Sequence, residues 1–158
     1  GRLDKDTTGM VLITNDGTLS HRILSPKKHI PKYYIVKLAE SFQEDYVRQF
    51  AEGVIIDGGE KCLPAKVKRF PDCEKTAFIE LHEGKYHQIK RMFSAVENSV
   101  EKLCRIQMGG LLMPEKLAIG EYMEIMHKDV ENLLKSQCFE EVFRNITENF
   151  SSYWINMQ

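Results

Sequence analysis

The sequence predicts an α+β fold in which a mixed, mainly antiparallel central sheet is flanked by helices. Two observations support this prediction. Segments with β-branched residues or period-two alternation outnumber helical segments, and they follow one another in runs instead of alternating strictly with helices. The chain has 158 residues, of which 42% are hydrophobic, and this is enough for one domain with a substantial core.

Each predicted element has a local signal in the sequence. Strands are predicted at 10–14, 33–38, 54–56, 65–70, 76–81, 100–108 and 120–125. Helices are predicted at 18–24, 43–52 and 87–96, where apolar residues recur at helical spacing. Asn15-Asp16-Gly17 and Asp57-Gly58-Gly59 are turn signals. Beyond residue 129, apolar residues at helical spacing predict one or two further amphipathic helices.

Charge is distributed unevenly along the chain. The net charge is −1, but residues 121–158 hold seven acidic and three basic residues, which leaves a net charge of +3 on residues 1–120. The segment 21–37 has five basic residues and no acidic one. A basic patch of this kind favours nucleic-acid contact in the first part of the chain, and the acidic balance argues against such contact in the tail.

Composition also excludes several classes of protein. No apolar run approaches the roughly 20 residues that a membrane-spanning helix needs. The four cysteines lie far apart without a CxxC pair, which argues against a zinc site and against a disulfide framework. We therefore expect reduced thiols, a cytoplasmic location, no membrane contact and no metal.

Three polar segments interrupt the apolar pattern. The first, residues 1–9 (GRLDKDTTG), precedes a predicted strand and has the composition of a solvated turn or a functional loop. The second, Lys32-Tyr33-Tyr34, opens a strand, so its tyrosines point to opposite faces and both could simply pack in the core. The third, residues 84–93 (GKYHQIKRMF), opens a helix with Lys90 beside the apolar stripe. At this position, Lys90 either pairs with an anion or buries only its aliphatic chain and keeps its ammonium in solvent.

Taken in this order, the segments resemble the motifs of the RNA pseudouridine synthases. The matching patterns are GRLDxxTxG with TNDG at residues 1–17, KxY at 32–34 and GxYHQxKRMF at 84–93. The resemblance is closest to the RsuA-like family, named for ribosomal small-subunit pseudouridine synthase A. Residues 20–26 and 105–110 agree with that family as well, so the resemblance extends from residue 1 to about residue 125.

The resemblance implies a pseudouridine synthase catalytic fold over residues 1–126, followed by an acidic helical C-terminal extension over 127–158. It also implies that the catalytic domain lacks its N-terminal part, because family members have a strand and loop before GRLD and usually an S4-type RNA-binding domain. The implied activity is isomerisation of a specific uridine in structured RNA, in small-subunit ribosomal RNA, to pseudouridine without a cofactor. Ribosomal RNA or a ribosomal assembly intermediate is the implied partner, and the protein is expected to be a monomer.

The same resemblance assigns roles to individual residues. Asp4 is the implied catalytic carboxylate, Tyr34 is the tyrosine that stacks under the base, and Lys90 is the basic partner of Asp4. Arg91 is the second choice for that partner. Leu3 and Ile106 are the implied pocket-lining residues. RNA contacts are assigned to Arg2, Arg22, Lys27, Lys28, Lys85, Arg91 and Arg105.

Elementary electrostatics agrees with a pair between Asp4 and Lys90. Desolvation in a partly dry pocket raises the pKa of a carboxyl group, and a cation within about 4–6 Å lowers it. A lysine beside an apolar stripe needs an anion in return, because a buried unpaired charge is costly. The rival acids have simpler interpretations, since Asp16 is typical of a turn and Asp6 can hold the loop.

Two alternative functions stay open at this point. The chain can be a catalytically inactive RNA-binding fragment or a ribosome-assembly module, although Asp4, Tyr34 and Lys90 are all present. It can also be an unrelated carboxylate enzyme, such as a glycoside hydrolase. That function would need a second catalytic acid near Asp4, for which the sequence offers no persuasive candidate.

Overall fold

The computed structural model describes residues 2–25 and 30–149. A 3-10 turn at Asp57–Gly59 joins β3 to β4. In chain order the elements are β1 (Thr7–Gly9), α1 (Gly17–Leu24), β2 (Lys32–Leu38), α2 (Asp45–Glu52), β3 (Ile55–Ile56), β4 (Glu60–Lys61), β5 (Lys66–Phe70), β6 (Cys73–Leu81), α3 (Gln88–Ala95), β7 (Val100–Met108), β8 (Leu111–Leu112), α4 (His127–Leu133) and α5 (Phe139–Asn149). None of the helices in the described ranges is long and apolar enough to cross a membrane.

Six strands form the main sheet, in the order β1-β7-β2-β6-β5, with β8 added to β7. β1 runs parallel to β7, whereas β2, β5, β6 and β8 pair in antiparallel fashion. The predicted α+β class with a mixed, mainly antiparallel sheet is therefore confirmed. β3 and β4 form a separate two-stranded hairpin.

The central strand β2 separates two apolar layers, because alternate residues point to opposite faces. On one face, Tyr34 and Val36 pack with residues of α2 and α3. On the other face, Tyr33 and Ile35 pack with Phe78 and with apolar residues of α5. A third cluster, which contains Ile23 of α1 and Leu133 of α4, lies along β7. We call the first of these layers the α3 face and the second the α5 face.

Two predicted strands are wrong. Residues 10–14 and 120–125 have strand-like composition but lie outside any strand, and Ile13 and Tyr122 are 93% and 90% exposed. The strand near the first of these segments lies earlier, at β1, where Thr7, Thr8 and Gly9 pair with β7. A high β-propensity means that a residue fits well in a pleated sheet. A segment forms a strand only if a neighbouring strand is also available to pair with it.

The predicted C-terminal amphipathic helices are confirmed as α4 and α5. Leu133 of α4 is fully buried, and Phe139, Val142 and Phe143 of α5 are buried on the α5 face. Phe143 makes ring contacts with Phe70 of β5 and Phe78 of β6. The described part of the extension therefore covers one face of the sheet, while the domain boundary at residue 126 stays a prediction.

Candidate active site

The Asp4 loop, residues 2–10, crosses the edge of the main sheet. The Thr7 amide donates a 3.0 Å hydrogen bond to the Asp4 carbonyl, which closes a turn immediately before β1. The Met10 amide then donates to the Arg105 carbonyl at 2.8 Å, so the chain is attached to β7 just after β1. Asp4 lies within the turn with a side chain that is 27% exposed. A carboxylate in this position is partly dry but still open to a ligand.

The start of α3 faces this loop. His87, immediately before α3, places its Nε2 atom 3.7 Å from the Asp4 Oδ1 atom. Its backbone is left-handed, with φ of 46° and ψ of 36°, and its ring stacks on Tyr86 at a centroid distance of 3.8 Å. A non-glycine residue in this conformation is sparsely populated and is often found at functional sites. The amide ends of a helix N-terminus also favour a nearby carboxylate.

Lys90 contacts a different acid from the one predicted. Its ammonium binds the carboxylate of Asp6 at 2.5 Å, and it forms no ion pair with Asp4 in the described chain. This hydrogen bond from Lys90 is the main reason that the pKa of Asp6 lies below its usual value. The predicted ion pair between Asp4 and Lys90 is therefore wrong, because Lys90 pairs with Asp6 instead. The two segments nevertheless meet, because Asp4 contacts His87 and Asp6 contacts Lys90 one helical turn later.

Tyr34 lies on the α3 face of β2, directly across from Arg105 of β7. It packs in the same cluster as Ile89 and Met92 of α3, and only 9% of it is exposed. Tyr33 points to the α5 face and is fully buried. Alternation along β2 thus puts the two tyrosines on opposite faces, as the sequence predicted, and both belong to buried apolar clusters.

Arg105 is not an RNA contact in this structure. It is only 3% exposed, and its Nε donates a 2.8 Å hydrogen bond to the Met10 carbonyl. Its Nη1 donates to the Arg2 carbonyl at 3.4 Å. The prediction that Arg105 binds phosphate is therefore wrong, because its buried guanidinium donates hydrogen bonds to backbone carbonyls of the Asp4 loop. β7 also pairs Arg105 with Gly9 of β1, so both its backbone and its side chain hold this loop.

Ile106 does not line the predicted pocket either. It is fully buried on the α5 face, in the cluster that holds Tyr33 and Phe78. The register of β7 against β2 shifts between Tyr33 and Tyr34, which pairs Gln107 and then Arg105 with consecutive β2 residues and leaves Ile106 unmatched. Sequence alternation alone does not reveal this irregularity, because it depends on the pairing of two strands. Leu3 is partly exposed on the Asp4 loop.

Among the remaining predicted RNA contacts, some side chains are exposed and one is held by acidic residues. Arg2 and Arg22 are exposed. Lys85 binds Glu60 at 2.5 Å and lies 3.6 Å from Glu83. Lys27 and Lys28 lie outside the described residues.

Arg91 is held by the β3–β4 hairpin. It binds the Asp57 carboxylate at 2.5 Å, donates to the Asp57 carbonyl at 3.0 Å and donates to the Tyr86 carbonyl at 3.2 Å. It therefore fixes the start of α3 to the hairpin, and neither its role as partner of Asp4 nor a phosphate contact fits this geometry. Its pKa is raised, mainly by the hydrogen bond with Asp57.

Two residues of the quoted motifs were given no role by the sequence analysis. His87 is the nearest basic group to Asp4 in the described chain, and its position beside Lys90 in one motif was the available signal. Lys32 is partly buried, two residues before Tyr34 on β2, and forms no ion pair in the described ranges. Burial, followed by the charge of Arg105, lowers the pKa of Lys32. Its spacing of two from Tyr34 placed it on the α3 face from the start.

Comparison with known proteins identifies the family. The family model of RNA pseudouridylate synthase matches residues 1–95, which is more than half of the chain. The chain belongs to the RNA pseudouridylate synthase family. Ribosomal small subunit pseudouridine synthase A of Haemophilus influenzae is 44% identical over 85% of this chain, and that of Escherichia coli is 42% identical over 85%. An uncharacterized RNA pseudouridine synthase of Bacillus subtilis, YtzG, is 44% identical over 87% of the chain.

A solved pseudouridylate synthase has the same fold. It aligns with a TM-score of 0.80 and 43% sequence identity, and the match covers 84% of this chain and 57% of the other. The predicted family and fold are therefore confirmed. The chain spans 58% of the length of the pseudouridine synthases from H. influenzae, E. coli and B. subtilis.

Proposed function

We propose that this chain isomerises a uridine in RNA to pseudouridine, with Asp4 as the catalytic carboxylate and no cofactor. One observation carries the proposal. Asp4 lies 3.7 Å from His87 at the start of α3, and Gly9 of the same loop pairs with Arg105, which in turn pairs with Tyr34 of the KxY strand. Three segments far apart in sequence are thus connected around β7, which is compatible with a shared active site.

The reaction itself needs only groups of this kind. The bond from the sugar C1′ to N1 of uracil breaks, a bond from C1′ to C5 forms, the C5 proton leaves and N1 gains a proton. Atoms and electrons balance without an oxidant or a reductant. An ionised Asp4 can assist the first step by attack on C1′ or by removal of a sugar proton to give a glycal, and both routes use the same carboxylate.

The surroundings of Asp4 leave it accessible to a ligand. Its side chain is 27% exposed, and the His87 Nε2 atom lies 3.7 Å from its Oδ1 atom. Lys90 forms its ion pair with Asp6 and not with Asp4 in the described chain. In this proposal Lys90 and Asp6 set the shape and charge of the loop, and they do not touch the reacting atoms.

Tyr34 is proposed to meet the uracil once the target nucleotide has left its stack. Extraction of a base costs a few kcal/mol, and stacking on an aromatic ring returns about 1–3 kcal/mol. Only 9% of Tyr34 is exposed, so this stacking requires part of its ring face to be uncovered when RNA binds. The exposed Arg2 and Arg22 are proposed to bind backbone phosphates, which positions the RNA without reading its sequence.

Small-subunit ribosomal RNA is the proposed substrate, because several relatives that match most of this chain are named ribosomal small subunit pseudouridine synthase A. The direct test uses transcripts labelled with tritium at C5 of uridine, since isomerisation releases that hydrogen to water. We expect the chain to release tritium from small-subunit ribosomal RNA and not from a large-subunit transcript. No release from either transcript, with the wild-type chain folded and bound to RNA, would contradict the proposed activity.

An RNA-binding role without turnover is the second candidate. The observations in its favour are the burial of Tyr34, of which only 9% is exposed, and the exposed cations Arg2 and Arg22. The tritium experiment separates the two, because a binding module retains labelled RNA on a filter and releases no tritium. Release from a large-subunit transcript alone would keep the activity and exclude the proposed substrate.

A further inference from the structure

We propose that Arg105 is a positioning residue that holds the Asp4 loop in its reactive geometry. This assignment differs from the phosphate contact that the sequence suggested. The evidence is the set of bonds that Arg105 makes with residues on either side of Asp4. Its effect on turnover rests on the proposed function, whereas its effect on the loop does not.

The side chain of Arg105 bonds to both sides of Asp4. Its Nε donates to the Met10 carbonyl at 2.8 Å, and its Nη1 donates to the Arg2 carbonyl at 3.4 Å. Arg2 lies two residues before Asp4 and Met10 lies six residues after it. A planar guanidinium can bridge two acceptors in this way, whereas the single ammonium of a lysine presents no such fork.

The backbone of Arg105 holds the same loop. The Met10 amide donates to the Arg105 carbonyl at 2.8 Å, and Gly9 pairs with Arg105 in the parallel β1–β7 ladder. Gly9 has φ of 101°, and a Cβ atom on it would lie 2.1 Å from the Arg105 carbonyl oxygen. Glycine is therefore required for this close approach, and the loop is seated directly against Arg105.

The environment of Arg105 argues against a role as an ion-pair partner. The residue is 3% exposed, and no carboxylate in the described chain forms an ion pair with it. A buried cation without an anion is costly, and here only carbonyl oxygens offset that cost. The bonds are thus specific to the backbone of the Asp4 loop. Catalytic groups must be held within a fraction of an ångström, so loss of the bridge should displace the carboxylate.

The test compares Arg105→Met and Arg105→Lys with a matched control, Phe143→Leu on the α5 face. Hydrogen exchange of the amides in residues 2–10 is measured without RNA, and tritium release is measured at saturating RNA. We expect at least tenfold faster loop exchange in Arg105→Met and a fall in kcat of about 100-fold, as misplacement of a catalytic group causes. KM should stay within about threefold, because the buried guanidinium does not touch RNA.

The Phe143→Leu control should lower thermal stability without faster exchange in residues 2–10 or a comparable loss of kcat. Arg105→Lys should fall between wild type and Arg105→Met, and it decides the matter if Arg105→Met does not fold. Unchanged loop exchange, or losses that merely match the control, would overturn the proposal. If the wild-type chain releases no tritium, the proposed function fails, and loop exchange alone then judges the role of Arg105.

Discussion

At the scale of single residues, pairing in this structure follows geometry within a few ångströms. Asp4 and Asp6 lie two positions apart on the loop, and His87 and Lys90 lie three positions apart at the start of α3, so two different acid–base pairings are possible. Lys90 binds Asp6, and Asp4 is left with His87 at 3.7 Å. The argument that Lys90 needs an anion was right, but it did not specify the partner, which is Asp6 with a side chain that is 69% exposed.

A buried acid, Glu80 of β6, gives a prediction on pH dependence. Glu80 is 2% exposed and binds His82 at 2.9 Å and Lys66 at 3.4 Å. Burial tends to raise the pKa of Glu80, but hydrogen bonding and the charges of His82 and Lys66 outweigh burial, so its pKa lies below the usual 4.5. A depressed folded pKa stabilises the fold above the unfolded value, and this stability is lost as the pH falls below about 4.5.

The free energy of unfolding of the wild-type chain should therefore decrease between pH 6.5 and pH 3.5. The decrease should be smaller in Glu80→Gln, because that variant has no carboxylate to protonate. Urea denaturation at both pH values measures the two differences. Equal pH dependence in the two proteins would show that Glu80 does not contribute in this way.

At the scale of elements, α3 begins after a residue with a backbone conformation that its sequence does not predict. His87 takes a left-handed conformation directly before the helix, with φ of 46°. An L-residue pays about 1–2 kcal/mol for this conformation, and glycine does not. The surrounding contacts hold it in place: the ring stacks on Tyr86, and Arg91 links the Tyr86 carbonyl to the β3–β4 hairpin. The start of α3 is therefore fixed from two sides.

This geometry predicts an order of stability for two variants at position 87. Both His87→Gly and His87→Ala remove the imidazole, but only alanine keeps the left-handed penalty. We expect His87→Gly to be about 1 kcal/mol more stable than His87→Ala in urea denaturation. If the alanine variant were as stable or more stable, the left-handed conformation at the start of α3 would be contradicted.

Elements were predictable from the sequence where local pattern and tertiary pairing agree. β2 and β7 were both predicted, because each is a central, mostly apolar strand. The strand predicted at 10–14 was wrong. The real strand is β1, whose sequence Thr-Thr-Gly has no apolar pattern and which is defined by its pairing with β7. The unmatched Ile106 in the β2–β7 register was equally hidden, since a bulge depends on two strands at once. Nothing within the Asp4 loop alone indicates that a residue 95 positions after Met10 will hold it.

At the scale of the whole molecule, the two faces of the sheet are covered by different helices. α5 closes one face through Phe139 and Phe143, and this face is packed core. α3 lies on the other face, and its first turn faces the Asp4 loop at the sheet edge. Family membership and fold were predictable because the motifs occur in order along the chain, whereas the atomic pairing of acid and base was not.

The central claim is that Asp4, and not its neighbour Asp6, carries the chemistry, and one measurement tests it most directly. Asp4→Asn and Asp6→Asn are matched substitutions two residues apart on the same loop, so tritium release by the two variants at saturating RNA compares their roles. We predict that Asp4→Asn lowers kcat at least about 100-fold with RNA binding retained, while Asp6→Asn stays within about tenfold of wild type. Turnover by Asp4→Asn at the wild-type rate would contradict the account, whatever the behaviour of Asp6→Asn.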